Sequence, residues 1–406
     1  MLIEFNVGNF RSFKKKVTFS MLAIKKDNSL EDKNIFEYKS SIEEGGSKLK
    51  LNLLKTAAIY GANASGKSNL LKAMNCMRTK VIGDQIKEPI SPFKLDENTL
   101  KEPSYFEIIF IKNKRKYRYG FEADDKKIYK EWLYYTIIKE INLYSRELDS
   151  KIKINNNETA LGNLLNKIDD NILFLTMGKY IKNDKIADAY DWFENFIIID
   201  NSALPTLNVD TPMQVRLFNT ISHMTDQEYK NKVLRYTKES DFMFNDFEIE
   251  ESNKDFMPKS ISPYTKYGKF RLGFLSDESN GTKVFISFIG EFMNITEKPR
   301  VFIVDELENS LHPYLLRLIL DLFNSNDNPY NAQLIFTAHN TNLLDEQTVR
   351  KDQIWFCERN KEGVSDIFSL CEFKVPKKRI KNLKSYEKNY LLGKYGAVPI
   401  INKIIK

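Results

Sequence analysis

The sequence predicts an α/β fold with a mixed sheet and an antiparallel lobe, interrupted by a helical insertion and carrying no long coiled coil. Two regions predict it. GANASGKS at 61–68 matches the pattern G-x-x-x-x-G-K-[ST] at every fixed position. It sits between an apolar run at 56–60, read as a buried strand, and a helical face of Leu70, Leu71, Met74 and Met77. Towards the other end, an apolar strand at 301–304, an amphipathic helix at 311–323 and a second apolar strand at 333–337 follow one another. Such alternation implies parallel strands joined by crossover helices, so both halves of the chain are expected to build one sheet.

In chain order, residues 2–7 read as a strand, GNFRSF at 8–13 as a turn and 16–21 as a second strand. The polar stretch 25–47 has few apolar anchors and reads as a loop. After the glycine loop and its helix, 104–111 and 116–123 alternate apolar and polar residues around 112–115, a hairpin pattern, and 127–141 continues with aromatic and β-branched residues. From about 149 to 269 the character changes to helices and loops, with helical periodicity at 163–175 and 181–196. No heptad repeat is sustained there, which excludes a long coiled-coil arm.

The 406 residues suffice for two or three structural units. No apolar run approaches the roughly 18 residues that cross a bilayer, and the N-terminus lacks the basic flank and apolar stretch of a signal peptide. A cytoplasmic protein without a membrane partner is the expectation. Cys76, Cys357 and Cys371 are scattered, with no C-x-x-C pair, so neither zinc nor a disulfide framework is suggested. The net charge of +7 is unevenly placed: residues 376–406 hold nine Lys or Arg against one acid, Glu387. Lys112, Lys114, Arg115, Lys116 and Arg118 form a second cluster, interleaved with Tyr117 and Tyr119. Such patches suit nucleic acid phosphates, but more often they are ordinary solvated surface.

The glycine loop is an anion trap. Gly61 and Gly66 allow the backbone to turn its N–H groups inward, and the helix beginning near Lys67 adds unpaired donors and the positive end of its dipole. Lys67 is placed to reach the outer phosphates of a nucleotide, and the Ser68 hydroxyl to hold Mg²⁺. Asp305, at the end of an apolar strand, suits the Mg²⁺ shell, and Glu306 suits polarising the water that attacks a γ-phosphate. His339 follows the strand at 333–337 and opens on the same sheet edge. It is read as a γ-phosphate sensor, against the plainer role of a satisfied structural residue. His312, before Pro313, shapes the loop after Glu306. Ser279 stands where a helix N-cap would, with Gly281 permitting close backbone approach. A plain cap is one reading, and a second anion-binding helix start facing another subunit's nucleotide is the other.

The order GANASGKS, SDESNGT, VFIVDE and FTAH resembles the ATP-binding cassette ATPases, and within them the branch of SMC and RecF heads and their DNA-repair relatives. IEFNVGNFRSF at the N-terminus is similar to the first strand and turn of those heads. The E-S-x-G-T form at 278–282 and YLLGKYGAVP at 390–399 resemble the short, armless ATPases of phage-defence systems, the RloA or AbiLi-like group. The resemblance implies an ABC-type ATPase head with an N-terminal lobe at 1–145, a mainly helical insertion at 146–268 and a C-terminal lobe at 269–406. It implies ATP and Mg²⁺ as cofactors. Arg11, Gly61, Asn63, Ser65, Gly66, Lys67, Ser68 and Asn69 would contact nucleotide, and Ser279 and Gly281 would do so in trans. Ser68 and Asp305 would bind the metal, with Glu306, His339 and Lys67 in catalysis. The lid glutamine of the family is left unassigned between Gln85 and the Ser91-Pro92-Phe93 turn. Implied partners are a second copy in an ATP-sandwiched homodimer, with larger assemblies open, and a separate nuclease or toxin effector. A DNA-maintenance head using 377–406 on nucleic acid is the alternative.

Overall fold

The computed structural model describes residues 1–398 apart from 26, 40–49, 84–88, 137, 149–152, 155–159, 166–167, 201–211, 239, 241, 253–259, 296–298, 310 and 374–384. The chain opens with β1 (Leu2–Gly8) and β2 (Val17–Ser20), then α1 (Glu31–Asn34), β3 (Ile35–Lys39) and β4 (Lys50–Leu54). β5 (Thr56–Tyr60) and α2 (Lys67–Ile82) flank the glycine loop. The antiparallel run is β6 (Ser104–Lys112), β7 (Arg115–Ala123), β8 (Ile128–Thr136), β9 (Glu140–Glu147) and β10 (Lys153–Ile154). The middle of the chain holds α3 (Ala160–Leu165), α4 (Asp184–Glu194), β11 (Phe196–Asp200), α5 (Pro212–His223), α6 (Gln227–Lys238), β12 (Asp246–Ser252), β13 (Ser260–Tyr267) and β14 (Phe270–Gly273). Then come α7 (Phe274–Asp277), α8 (Asn280–Ile295), β15 (Val301–Asp305), α9 (Pro313–Asn324), β16 (Gln333–Thr337), β17 (Ile354–Arg359), β18 (Ser365–Ser369) and α10 (Tyr386–Leu391). The fold is mixed α/β, and no long coiled coil occurs among the described residues.

Two sheets dominate. One has seven strands in the order β10-β9-β8-β7-β6-β1-β2, and the other has six in the order β11-β15-β16-β5-β17-β18. In the second, β16 and β17 run parallel to β5 on either side, and β18 closes that edge antiparallel to β17. β5 is buried over its whole length. That is why it reads as a continuous apolar run rather than an alternation. Strands from both halves therefore share this sheet, as the alternation predicts.

The chain forms two compact units, Met1–Ile198 with Arg300–Ile303 and Gln333–Lys406, and Ile199–Pro299 with Val304–Ala332. In the first, α2 buries Leu70, Leu71, Met74 and Met77 in a core shared with Phe106, Tyr117, Phe121 and Ile335. Phe110 stacks on Trp192 of α4 with centroids 4.4 Å apart. Glu131 is fully buried in this lobe and accepts from Tyr119, Tyr144, Arg146 and the amides of Phe174 and Leu175. In the second, α5 crosses α8 so closely that a Cβ at Gly290 would stand 1.9 Å from Thr220 Oγ1. Phe292 of α8 also meets Tyr236 of α6 and Phe323 of α9.

Two expectations are corrected. The stretch 25–47 is not only loop: it carries α1 and β3, and β3 pairs with β4 from Ile35 opposite Leu54 to Lys39 opposite Lys50. Phe36 there is buried against Ile3, Leu53 and Ile111. The stretch 149–269 holds strands as well as helices, since β12, β13 and β14 form an antiparallel sheet. In the basic cluster at 112–118, Lys112 pairs with Asp191, Arg115 with Asp184 and Asp188, and Arg118 with Glu107 and Glu140. Tyr117 and Tyr119 are core residues. Most of residues 377–406 and Gln85 lie outside the described residues. Among the described residues, no helix is long and apolar enough to cross a membrane.

Candidate functional site

The glycine loop begins where β5 ends. Gly61 has φ 153°, and a Cβ there would lie 2.3 Å from the carbonyl oxygen of Cys357. Gly66 has φ 119°, and its Cβ would lie 2.5 Å from Ser365 Oγ. Both positions exclude a side chain by backbone angle and by space. Between them Ala64, exposed at the tip beside Asn63, takes a left-handed φ of 61°. α2 then starts with no side-chain cap and no acid in its first turn, which leaves its N-terminal donors for a ligand. Lys67 is 5% exposed, and its Nζ donates to the carbonyls of Gly61 at 2.8 Å and Ala62 at 3.1 Å. Ser65 Oγ is buried without a hydrogen-bond partner. Ser68 and Asn69 are half-buried, and Asn69 donates to Ser12 Oγ at 2.8 Å.

The loop is backed by residues that sequence reasoning missed. Ser365 Oγ and Cys357 Sγ both donate to the carbonyl of Ser65, at 2.6 and 3.2 Å. The Ser365 amide donates to the carbonyl of Ser12 at 2.8 Å. Burial pushes the Cys357 thiol up to about 12, against the downward pull of the Ser65 contact and the Lys67 charge. The turn that carries Ser12 holds Asn9 and Arg11 at φ 48° and 51°. Arg11 is half-buried, with its guanidinium 5.6 Å from the Phe10 ring centroid. Its amide donates to Ser91, and Asn9 Oδ1 accepts from the Phe93 amide, so the 91–93 turn is fastened to the turn with Arg11.

His339 lies in the same unit. β16 is parallel to β5 with Thr337 opposite Ile59, and the Ala338 amide donates to the Ile59 carbonyl at 3.1 Å. The next residue, His339, is exposed on the edge where β5 gives way to the glycine loop. Also on this side, Tyr390 and Tyr395 stack on Phe356, and Tyr390 reaches Tyr60, which seats α10 against the ends of β17 and β5.

The second unit holds the other candidates. Asp305 is buried at the end of β15. Glu306 is half-buried with φ 51°, a left-handed conformation that costs a non-glycine residue energy and that tends to occur at working sites. Its carbonyl accepts from Asn309 to close a turn. His312 caps α9, its Nδ1 accepting from the Tyr314 amide at 3.4 Å ahead of Pro313 at the first helical position. Ser279 is exposed and caps α8: its Oγ accepts from the Thr282 amide at 3.1 Å and lies 2.8 Å from Thr282 Oγ1. Gly281 is half-buried in the first turn. Thus Arg11, Gly61, Asn63, Ser65, Gly66, Lys67, Ser68, Asn69 and His339 belong to the first unit, and Ser279, Gly281, Asp305 and Glu306 to the second.

Among solved structures, the chain is similar to the SMC head domain from Thermotoga maritima at 15% identity, over 92% of this chain and 99% of that one, with a TM-score of 0.41. An SMC head bound to the C-winged helix domain of ScpA is similar at 13% identity, over 91% and 97% of the two chains, with a TM-score of 0.43. No curated protein matches. Residues 57–345, well over half of the chain, match the family described as "AAA domain, putative AbiEii toxin, Type IV TA system". The chain belongs to this family of AAA ATPases.

Proposed function

We propose that the protein hydrolyses ATP with Mg²⁺, dimerises around the nucleotide and through its nucleotide state controls a separate toxic effector in antiviral defence. The observation that carries the reading is the glycine loop: an uncapped helix start, a buried Lys67 ammonium resting on two loop carbonyls, and a buried Ser65 hydroxyl with no partner. These donors suit a phosphate chain. In this reading Lys67 neutralises the outer phosphates, Ser68 and Asp305 supply oxygen ligands to Mg²⁺, Glu306 polarises the attacking water and His339 donates to the transferring group. Arg11, Asn63 and Asn69 line the nucleotide, and Ser279 and Gly281 meet the nucleotide of the second copy. The family's description names a toxin system, which favours a defence role of the RloA or AbiLi-like kind over general metabolism.

Turnover and association test this together. Lys67→Ala abolishes ATP binding, whereas Glu306→Gln binds ATP, stalls before hydrolysis and accumulates as a dimer in light scattering. Wild-type turnover by Glu306→Gln would sink the assignment. Purification of the native protein brings down a stoichiometric nuclease-like or toxic chain. Salt-sensitive DNA binding with DNA-stimulated turnover and no such chain would favour a DNA-maintenance head instead.

A further inference from the structure

The chain leaves β13, turns through the left-handed Gly268 into β14, forms the single turn α7 and comes back at Glu278 to the strand it left. Glu278 closes that circuit. Its Oε1 accepts from Thr265 Oγ1 at 2.5 Å and from Tyr267 OH at 2.7 Å, both on β13. The rest of the circuit is stiff. Tyr267 pairs with Phe270 across the hairpin, the Gly273 amide donates to Asp277 Oδ2 at 2.8 Å, and Phe274 is fully buried with its ring 5.5 Å from Phe247. Thr265 is fully buried, and its hydroxyl donates to Glu278. Burial first and the carboxylate second push the Tyr267 phenol up to about 12, which keeps it a donor at neutral pH.

We propose that Glu278 is a positioning residue for Ser279: its carboxylate, tied to Thr265 and Tyr267, sets where the next residue presents the start of α8. The inference rests on the reading of Ser279 as the contact to the second copy's nucleotide. One peptide bond separates the two residues, and Glu278 is extended (φ −77°, ψ 153°), so anchoring its side chain fixes the approach of Ser279 to the helix. An acid just before a helix can also act by complementing the helix dipole. Here both hydrogen bonds of Oε1 go to hydroxyls of β13, away from the α8 amides, and the capping is done by Ser279 itself. A carboxylate that accepts two hydroxyl donors is a strong and directional tie. It explains why the stretch preceding α8 carries a glutamate that touches neither the helix amides nor, in the proposed function, the nucleotide.

The test uses the full chain in the Glu306→Gln background. Association is followed by light scattering against ATP concentration, and monomer binding by fluorescence of a mant-labelled ATP at high dilution. Glu278→Ala raises the ATP needed for half-maximal association about tenfold, as loss of charge-assisted bonds of this kind implies. Tyr267→Phe and Thr265→Val, which each remove one donor with little change of volume, raise it less. Glu278→Gln, which keeps an acceptor oxygen, restores most of the response. Mant-ATP affinity stays at the parent value in Tyr267→Phe, while the melting temperature falls by only a few degrees. If Ser279→Arg blocks association while Glu278→Ala, Tyr267→Phe and Thr265→Val all associate as the parent does, the positioning role is wrong and the dimer reading stands. Were Ser279→Arg silent as well, the dimer reading itself would fail and this inference with it. Loss of mant-ATP binding in step with association would assign Glu278 to general folding and overturn the proposal.

Discussion

Ser365 holds Ser65 by its carbonyl: the hydroxyl of the first donates to the backbone oxygen of the second at 2.6 Å. The same Ser365 takes the Ser12 carbonyl through its amide at 2.8 Å, so one residue at the start of β18 ties the glycine loop to the turn that carries Arg11.

Removing that hydroxyl is therefore expected to act on ligand affinity more than on the fold. Ser365→Ala leaves the Ser65 carbonyl with the weaker Cys357 donor, and a lost neutral hydrogen bond of about 1 kcal/mol corresponds to a roughly fivefold weaker ATP Kd. Titration with mant-ATP checks it. An unchanged Kd would mean that the loop keeps its shape without this support.

The Cys357 thiol, pushed up to about 12 by burial, is expected to resist iodoacetamide at pH 8 in the folded protein and to react on unfolding. The pH dependence has a definite sign. The unfolded thiol ionises near its ordinary value of 9.0 while the folded one keeps its proton, so its contribution to stability is complete below about pH 9 and is lost as pH rises towards 12. Urea midpoints measured over that window should fall less steeply in Cys357→Ala than in the parent.

Glu131 is expected to be a stability residue of the antiparallel lobe. Glu131→Ala strands the Arg146 guanidinium, two tyrosine hydroxyls and two amides, and breaking a buried pair of this kind costs about 3–5 kcal/mol. Urea unfolding measures it. A loss under about 1 kcal/mol would show that water replaces the carboxylate.

What the sequence disclosed follows from how local each constraint is. Gly61 and Gly66 answer to backbone angles and close contacts, and Lys67 begins the helix, so a pattern of eight residues was enough to find them. Asp305 stands at the end of a short buried strand, which shows as an apolar run ending in acids. Cys357 and Ser365 bear on the loop because β17 lies parallel to β5 and β18 pairs with β17, and no neighbouring residue in the chain announces that pairing. β12 was hidden differently. Phe247 and Ile249 alternate with Glu248 and Glu250, whose charges read as polar loop until Lys266 and Arg271 are seen to pair with them across the sheet. In β3, Phe36 was one of few apolar residues in a polar stretch, and it needed Leu53 and Ile111 to become core.

The placement of β5 between β16 and β17 also sets a timetable for synthesis. The strand that leads into the glycine loop is made early, yet both of its neighbours come from the last third of the chain. Ser65 waits for Ser365, 300 residues later, which at about 5–20 residues per second is roughly 15–60 s on the ribosome. Until β16 and β17 are made β5 has open edges, and until Ser365 is made the Ser65 carbonyl lacks its hydroxyl donor, so the glycine loop reaches its final support only near the end of translation.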